Sequence, residues 1–134
     1  MRAILLSLIF VFGVSAAVAQ DRNTAIEGVI QSQIDAFLQD DFATAFTYAS
    51  PSIKRFFGTP DNFGTMVRQG YPMVWRPSSV EYLDLKQQGP FQYQKVLVTD
   101  QDGVPHLLEY QMIEAGGAWQ INGVRFLQAP PLGA

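Results

Sequence analysis

The chain has 134 residues, with 12 acidic against 9 basic side chains, a formal net charge of −3, one histidine and no cysteine. A mildly acidic chain without a basic cluster is a poor match for nucleic acid or an anionic membrane surface. Lacking cysteine, it has no disulfides, thiol catalysis or thiolate metal sites, so stability must come from a core for which ten Phe, five Tyr and two Trp supply material.

Met1-Arg-Ala-Ile-Leu-Leu-Ser-Leu-Ile-Phe-Val-Phe12 places one positive charge before an apolar run, and Ala17 and Ala19 then stand in the A-x-A arrangement of a signal-peptidase site. The stretch from Ala3 to Ala19 includes two serines and a glycine and falls short of the roughly 20 apolar residues that cross a bilayer. The expectation is a cleavable export signal over residues 1–19, cut after Ala19, and a periplasmic or secreted product with no membrane attachment. Residues 20–134 then form a single domain. Loss of Arg2 leaves eight basic against twelve acidic residues in it, a net of −4.

Within that domain, Ile26, Val29, Ile30, Ile34, Phe37 and Leu38 lay one apolar stripe along a helix over Thr24 to Gln39, with Asp21 or Asn23 as its cap. Asp41 caps a second helix reaching Ala49, and the adjacent Asp40 reads as the end of the first. Ser50-Pro51 and Thr59-Pro60 start two more, since a hydroxyl cap followed by proline fits the first turn. Gly58 and Gly70 suit the left-handed positions that end helices. Tyr71 and Arg76 each precede a proline, so the segment 70–77 reads as a stiff extended connector.

Beyond Pro77 the period changes to two. Strands are expected over Val80 to Gln87 and Gln92 to Thr99, then a turn at Asp102-Gly103 and a returning strand with His106, Leu108, Tyr110 and Met112 on the inner face. Ala115-Gly-Gly117 turns into a last strand, Ala118 to Leu127. There Trp119 and Ile121 share a face while Val124 and Phe126 have the opposite parity. A bulge at Asn122-Gly123 would bring all four to one side. Phe37, Phe46, Phe57, Trp119 and Phe126 are assigned to the core, and Gln128 to Ala134 to a frayed end.

Helices first and an antiparallel sheet of about four strands second make an α+β domain, with helices packed on one face of a curved sheet. The order of pieces resembles the nuclear transport factor 2-like group, a cone-shaped α+β fold. The runs Val29-Ile-x-x-Gln-Ile-x-Ala-Phe37, Ala45-Phe-x-x-Ala-Ser-Pro51-x-Ile53, Met66-Val-x-x-Gly-Tyr-Pro-Met-Val-Trp-Arg-Pro77 and Trp119-x-Ile-Asn-Gly-Val124 resemble a family of small exported bacterial proteins known as domain of unknown function 4864. The resemblance implies fold and export, and no assigned activity. For the nuclear transport factor 2-like group it further implies dimerisation through the sheet face, and isomerases or dehydratases working in the cone with an acidic or histidine base and a tyrosine donor.

No serine lies in a nucleophile elbow and no Gly-rich phosphate loop is present. One histidine with scattered carboxylates offers no metal-ligand spacing, so neither metal nor cofactor is expected. Asp100 and Asp102 read as hairpin-turn residues. The remaining candidates are Tyr71, Trp75 and Arg76 on the connector and His106 and Tyr110 on the inner face. Tyr71 and Trp75 offer apolar faces with a polar edge, and Arg76 could meet a ligand carboxylate or phosphate. The plainer reading has Trp75 closing the end of the core, Arg76 satisfying backbone carbonyls or an acid such as Glu81, and His106 as a hydrogen-bonded structural residue.

The leading expectation is a non-catalytic module binding a small, partly apolar or anionic ligand, or a partner protein. An isomerase or lyase in the same cavity, and a homodimer formed through the sheet face, are the alternatives. A ligand site calls for a cavity of at least ~300 Å³. An enzyme additionally calls for a titratable group at it.

Overall fold

The computed structural model describes the backbone of residues 10–127 and the side chains of residues 20–127. The first residues of the expected export signal and the tail after Leu127 lie outside the described residues.

Helix α1 (Phe10–Leu38) runs straight through Thr24, so neither Asp21 nor Asn23 caps it as the sequence suggested. Phe10 to Gln20 contain no proline and a single glycine, and a helix already nucleated extends through such a stretch at little cost. Ile26, Ile30, Ile34 and Phe37 are buried along one face, each contributing about 1.5–3 kcal/mol by leaving water. Leu38, expected in that stripe, is exposed. The helix ends at Leu38, and in the turn that follows Asp40 takes φ 55, a left-handed conformation that aspartate tolerates better than most residues.

Asp41 caps α2 (Phe42–Thr47) by accepting a bond from the Thr44 amide at 3.1 Å. Ser50 caps α3 (Pro51–Phe57) and Thr59 caps α4 (Pro60–Gly70), each followed by the expected proline. Gly58 adopts φ 79 and ends α3, as its position suggested. Gly70 does not play that part. It is the last residue of α4, and the chain passes through Tyr71 into one more helical turn, α5 (Pro72–Trp75). The pre-proline residues Tyr71 and Arg76 do leave the helical region, at φ −135 and −139, but the segment between them is helical rather than extended. Burial of Met73 and Val74 anchors that turn in the core.

Four strands follow as an antiparallel meander in the order β1-β2-β3-β4: β1 (Ser79–Gln88), β2 (Phe91–Thr99), β3 (Pro105–Ala115) and β4 (Ala118–Phe126). The architecture is α+β, as expected. Gly116 and Gly117, at φ 61 and 80, make the two-residue turn between β3 and β4 that only positive φ at both positions allows. The inner face carries Val96, Val98, Leu108, Tyr110, Met112 and Ile121, all buried. A bulge in β1 between Tyr82 and Leu85 frees the carbonyls of Leu83 and Asp84, and the buried Gln94 amide donates to both, at 3.0 and 3.3 Å.

The bulge foreseen at Asn122 is present. Gln111 pairs with Gly123 and Met112 with Ile121, so Asn122 is the extra residue. Its amide nitrogen donates to Gln111 Oε1, while its Oδ1 accepts from the Ser50 hydroxyl at 2.7 Å. Ala49 forms a parallel bridge to Ile121, so the α2–α3 link covers the free edge of β4. Phe126 departs from expectation: it is 49% exposed, at the strand end, and its ring lies flat against Tyr71 at 5.1 Å.

Candidate functional site

Where α1, α3 and α4 meet β3 and β4, packing leaves a cavity of about 230 Å³. Phe37 of α1, Ile53 and Phe57 of α3, and Phe63, Met66 and Val67 of α4 form its helical wall. Ile121, Gly123 and Val124 of β4 form the wall opposite, closed by Ala49, Tyr71 and Val74. Phe63 is the hub of the aromatic side, with ring centroids of Phe37, Phe46 and Phe57 at 5.9, 5.3 and 5.6 Å. Such spacing suits mutually tilted rings and fills the helical wall densely.

Three polar side chains complete the lining: Gln33, Tyr71 and Tyr110. Tyr71 donates to the Val124 carbonyl at 3.0 Å, and Gln33 donates its amide N–H to the Ala45 carbonyl at 3.1 Å. The Tyr110 hydroxyl is fully buried and has no partner. Burial is the main cause that pushes its pKa well up, with smaller contributions in the same direction from Tyr82 and Tyr71, so it stays a neutral phenol. The lining residues include no carboxylate, histidine, lysine or arginine. Among the described residues no group of three or more acidic or histidine side chains is placed to hold a metal ion.

The five residues singled out from sequence therefore separate into three places. Tyr71 and Tyr110 line the cavity. Trp75 and Arg76 turn away from it, toward the end of α1. The Trp75 indole N–H donates to Asp40 at 2.8 Å, the Arg76 guanidinium donates to the same oxygen at 2.9 Å, and a second Arg76 nitrogen donates to the carbonyls of Phe37 at 2.7 Å and Trp75 at 3.0 Å. That guanidinium also lies over the Trp75 ring, 4.1 Å from its centre. Arg76 thus serves backbone carbonyls and an acid, with Asp40 rather than Glu81 as the acid. The hydrogen bond from Trp75, then that from Arg76, hold the Asp40 carboxyl below its usual range.

His106 lies at the opposite end of β3, where its Nε2 meets Asp100 at 2.9 Å. Asp100 also accepts from the amides of Asp102 and Val104, both at 2.9 Å. The His106 bond first, then these amides, lower the Asp100 pKa. Asp100 and His106 therefore tie the β2–β3 hairpin.

Sequence reasoning passed over Gln33 and Asp40. Gln33 had a signal: it stands three residues after Ile30 and four before Phe37, a polar side chain inside the apolar stripe. Asp40 had none, because both its partners are brought to it only by the packing of α5.

The family model whose description is Domain of unknown function (DUF4864) matches residues 19–134. No curated protein and no solved structure matches the chain.

Proposed function

Because the chain belongs to the family of that Domain of unknown function, which brings no activity with it, we propose a function from the cavity alone: an exported, non-catalytic module that binds a small apolar ligand. The observation that carries this reading is the cavity of about 230 Å³ walled by aliphatic and aromatic side chains. Its size lies between the roughly 150 Å³ apolar void that accepts benzene and the ~300–1,000 Å³ of sites for drug-sized molecules. It falls below the size expected from sequence, so the ligand is correspondingly smaller, of about one ring.

The non-catalytic part draws support from the lining, which offers no carboxylate or histidine to act as the base an isomerase or lyase needs. Export after removal of Met1–Ala19 draws support from the start of the family match at residue 19, the expected boundary.

Native mass spectrometry on the protein from its own source, before and after denaturation, tests these points together. The expected result is a chain lacking residues 1–19 that carries a small molecule released on denaturation. An intact leader overturns export. A ligand-free dimer favours a second reading, a homodimer through the outer sheet face, where Leu97 pairs with Leu107 and Phe91 with Ile113. Those four side chains remain half-buried on the side away from the helices.

A further inference from the structure

On its α3 side the cavity reaches the surface. Ile53 and Phe57, one helical turn apart, both line it and both are half-buried. Phe56 stands beside them in water. Among the described residues it is the most exposed large apolar side chain, at 80%, and its ring meets that of Phe57 edge-on with centroids 4.9 Å apart. A single exposed ring is ordinary on a protein surface, but this one carries the apolar wall of the cavity outward past its mouth.

The same turn of α3 carries Lys54 and Arg55. Lys54 stands three residues before Phe57, so the two side chains are neighbours on the helix surface. Arg55 precedes Phe56, and its guanidinium donates to the Ser52 hydroxyl at 3.4 Å. Among the described residues the ion pairs use Arg76, His106 and Arg125, which leaves Lys54 and Arg55 without an acid. The last turn of a helix suits cations, which accounts for the two charges but not for the exposed ring beside them. No cationic side chain lines the cavity itself, so a carboxylate drawn inside would lose its hydration and meet no compensating charge. An anionic group can be met only outside, on α3.

Resting on the reading of the cavity as a ligand site, we infer that the site continues past its mouth onto α3 and takes an unbranched aliphatic carboxylate. The tail end fills the cavity, the middle of the chain lies over Phe57 and Phe56, and the carboxylate stays in solvent beside Lys54 and Arg55. The cavity holds about one ring's worth of carbon, so a chain of about eight carbons passes the rim and brings its head to the cations. An anionic bilayer is the rival occupant for a phenylalanine beside two cations. A bilayer, however, meets the whole molecule, whose net charge is −3, whereas one carboxylate meets only Lys54 and Arg55.

Ethylbenzene, hexanoate, octanoate and 1-octanol, titrated by NMR into the wild-type protein, Phe56→Ser and the double variant Lys54→Gln/Arg55→Gln, test this. Ethylbenzene should bind all three proteins equally, because none of the altered side chains lines the cavity. Octanoate should bind the wild type roughly tenfold more tightly than hexanoate, from two further methylenes covered at up to about fourfold each. Phe56→Ser should melt with the wild type and cut that ratio to about threefold or less. The double variant should weaken octanoate roughly twofold to fivefold and leave 1-octanol unchanged. A ratio that survives in Phe56→Ser, or a lower melting temperature for that variant, removes Phe56 from the site. Octanoate unaffected by the double variant, or 1-octanol weakened equally, overturns the placement of the head. Sedimentation with phosphatidylglycerol vesicles should capture no wild-type protein, and capture that is lost in Phe56→Ser makes the bilayer the occupant and overturns the proposal. If ethylbenzene binds and octanoate does not, the extension onto α3 falls while the cavity reading stands. If neither binds, the cavity reading itself falls.

Discussion

The two sides of the segment from Tyr71 to Arg76 are built in different ways. On the side of Trp75 and Arg76, an indole N–H, a guanidinium and two backbone carbonyls converge with the Asp40 carboxylate, and together they tie α5 to the end of α1. On the side of Tyr71 and Val74, the chain faces a cavity walled mostly by apolar side chains, with Tyr71 and Gln33 each donating to a backbone carbonyl. Polar pairing thus fastens elements together on one side, while apolar packing shapes the void on the other. A clamp and a site can lie within a few residues of each other and still be told apart by this accounting.

The largest effect that would sharpen the contrast is Phe63→Ala. It removes the hub of the aromatic wall and enlarges the cavity, so urea unfolding should show a loss of about 3–5 kcal/mol while ring probes larger than ethylbenzene gain affinity. Val124→Phe works in the other direction by filling the void. Probe binding measured by NMR should fall by about tenfold or more, with stability lowered by about 1–3 kcal/mol at most. Unchanged binding there would break the assignment of the cavity as the site.

Gly64→Ala tests how tightly the wall is packed from behind. A Cβ at Gly64 would lie 2.6 Å from Cγ of Phe42, so the ring must move. Alanine's better helix propensity, worth about 1 kcal/mol, should be outweighed by an overpacking cost of about 1–3 kcal/mol, giving a lower midpoint in chemical denaturation.

Arg76→Ala should produce a small fall in melting temperature and no change in probe affinity, because the side chain fastens exposed ends and does not line the cavity. Loss of probe binding without loss of stability would instead return Arg76 to the site. The smallest effect is acid sensitivity. Asp40 and Asp100 have folded pKa values below the ordinary 3.8, so their stabilisation is fully present above about pH 4 and is lost as pH falls through the lower folded values. Asp40→Asn and Asp100→Asn should each flatten the fall in melting temperature measured between about pH 4 and pH 2.

Much of this structure is local and was legible from residues alone. The caps at Asp41, Ser50 and Thr59, the end of α3 at Gly58, the hairpin at Gly116-Gly117 and the bulge at Asn122 all follow from short-range rules of hydrogen bonding and backbone freedom. The inner parity of Leu108, Tyr110 and Met112 follows in the same way from the period of a strand.

The failures share a different cause. Phe126 has core parity but lies at the strand end with half its surface exposed, and Gly70 could end α4 but is followed by a turn that buries Met73 and Val74. Trp75 and Arg76 carry the chemistry of a binding loop, yet their partner, Asp40, lies 35 and 36 residues away in the chain. The sequence by itself therefore determined the α+β class, the caps, the turns and which residues can face inward. Only the tertiary structure decided which inward groups find partners, because that depends on distances between segments far apart in the chain. It is this pairing that closes a clamp at Asp40.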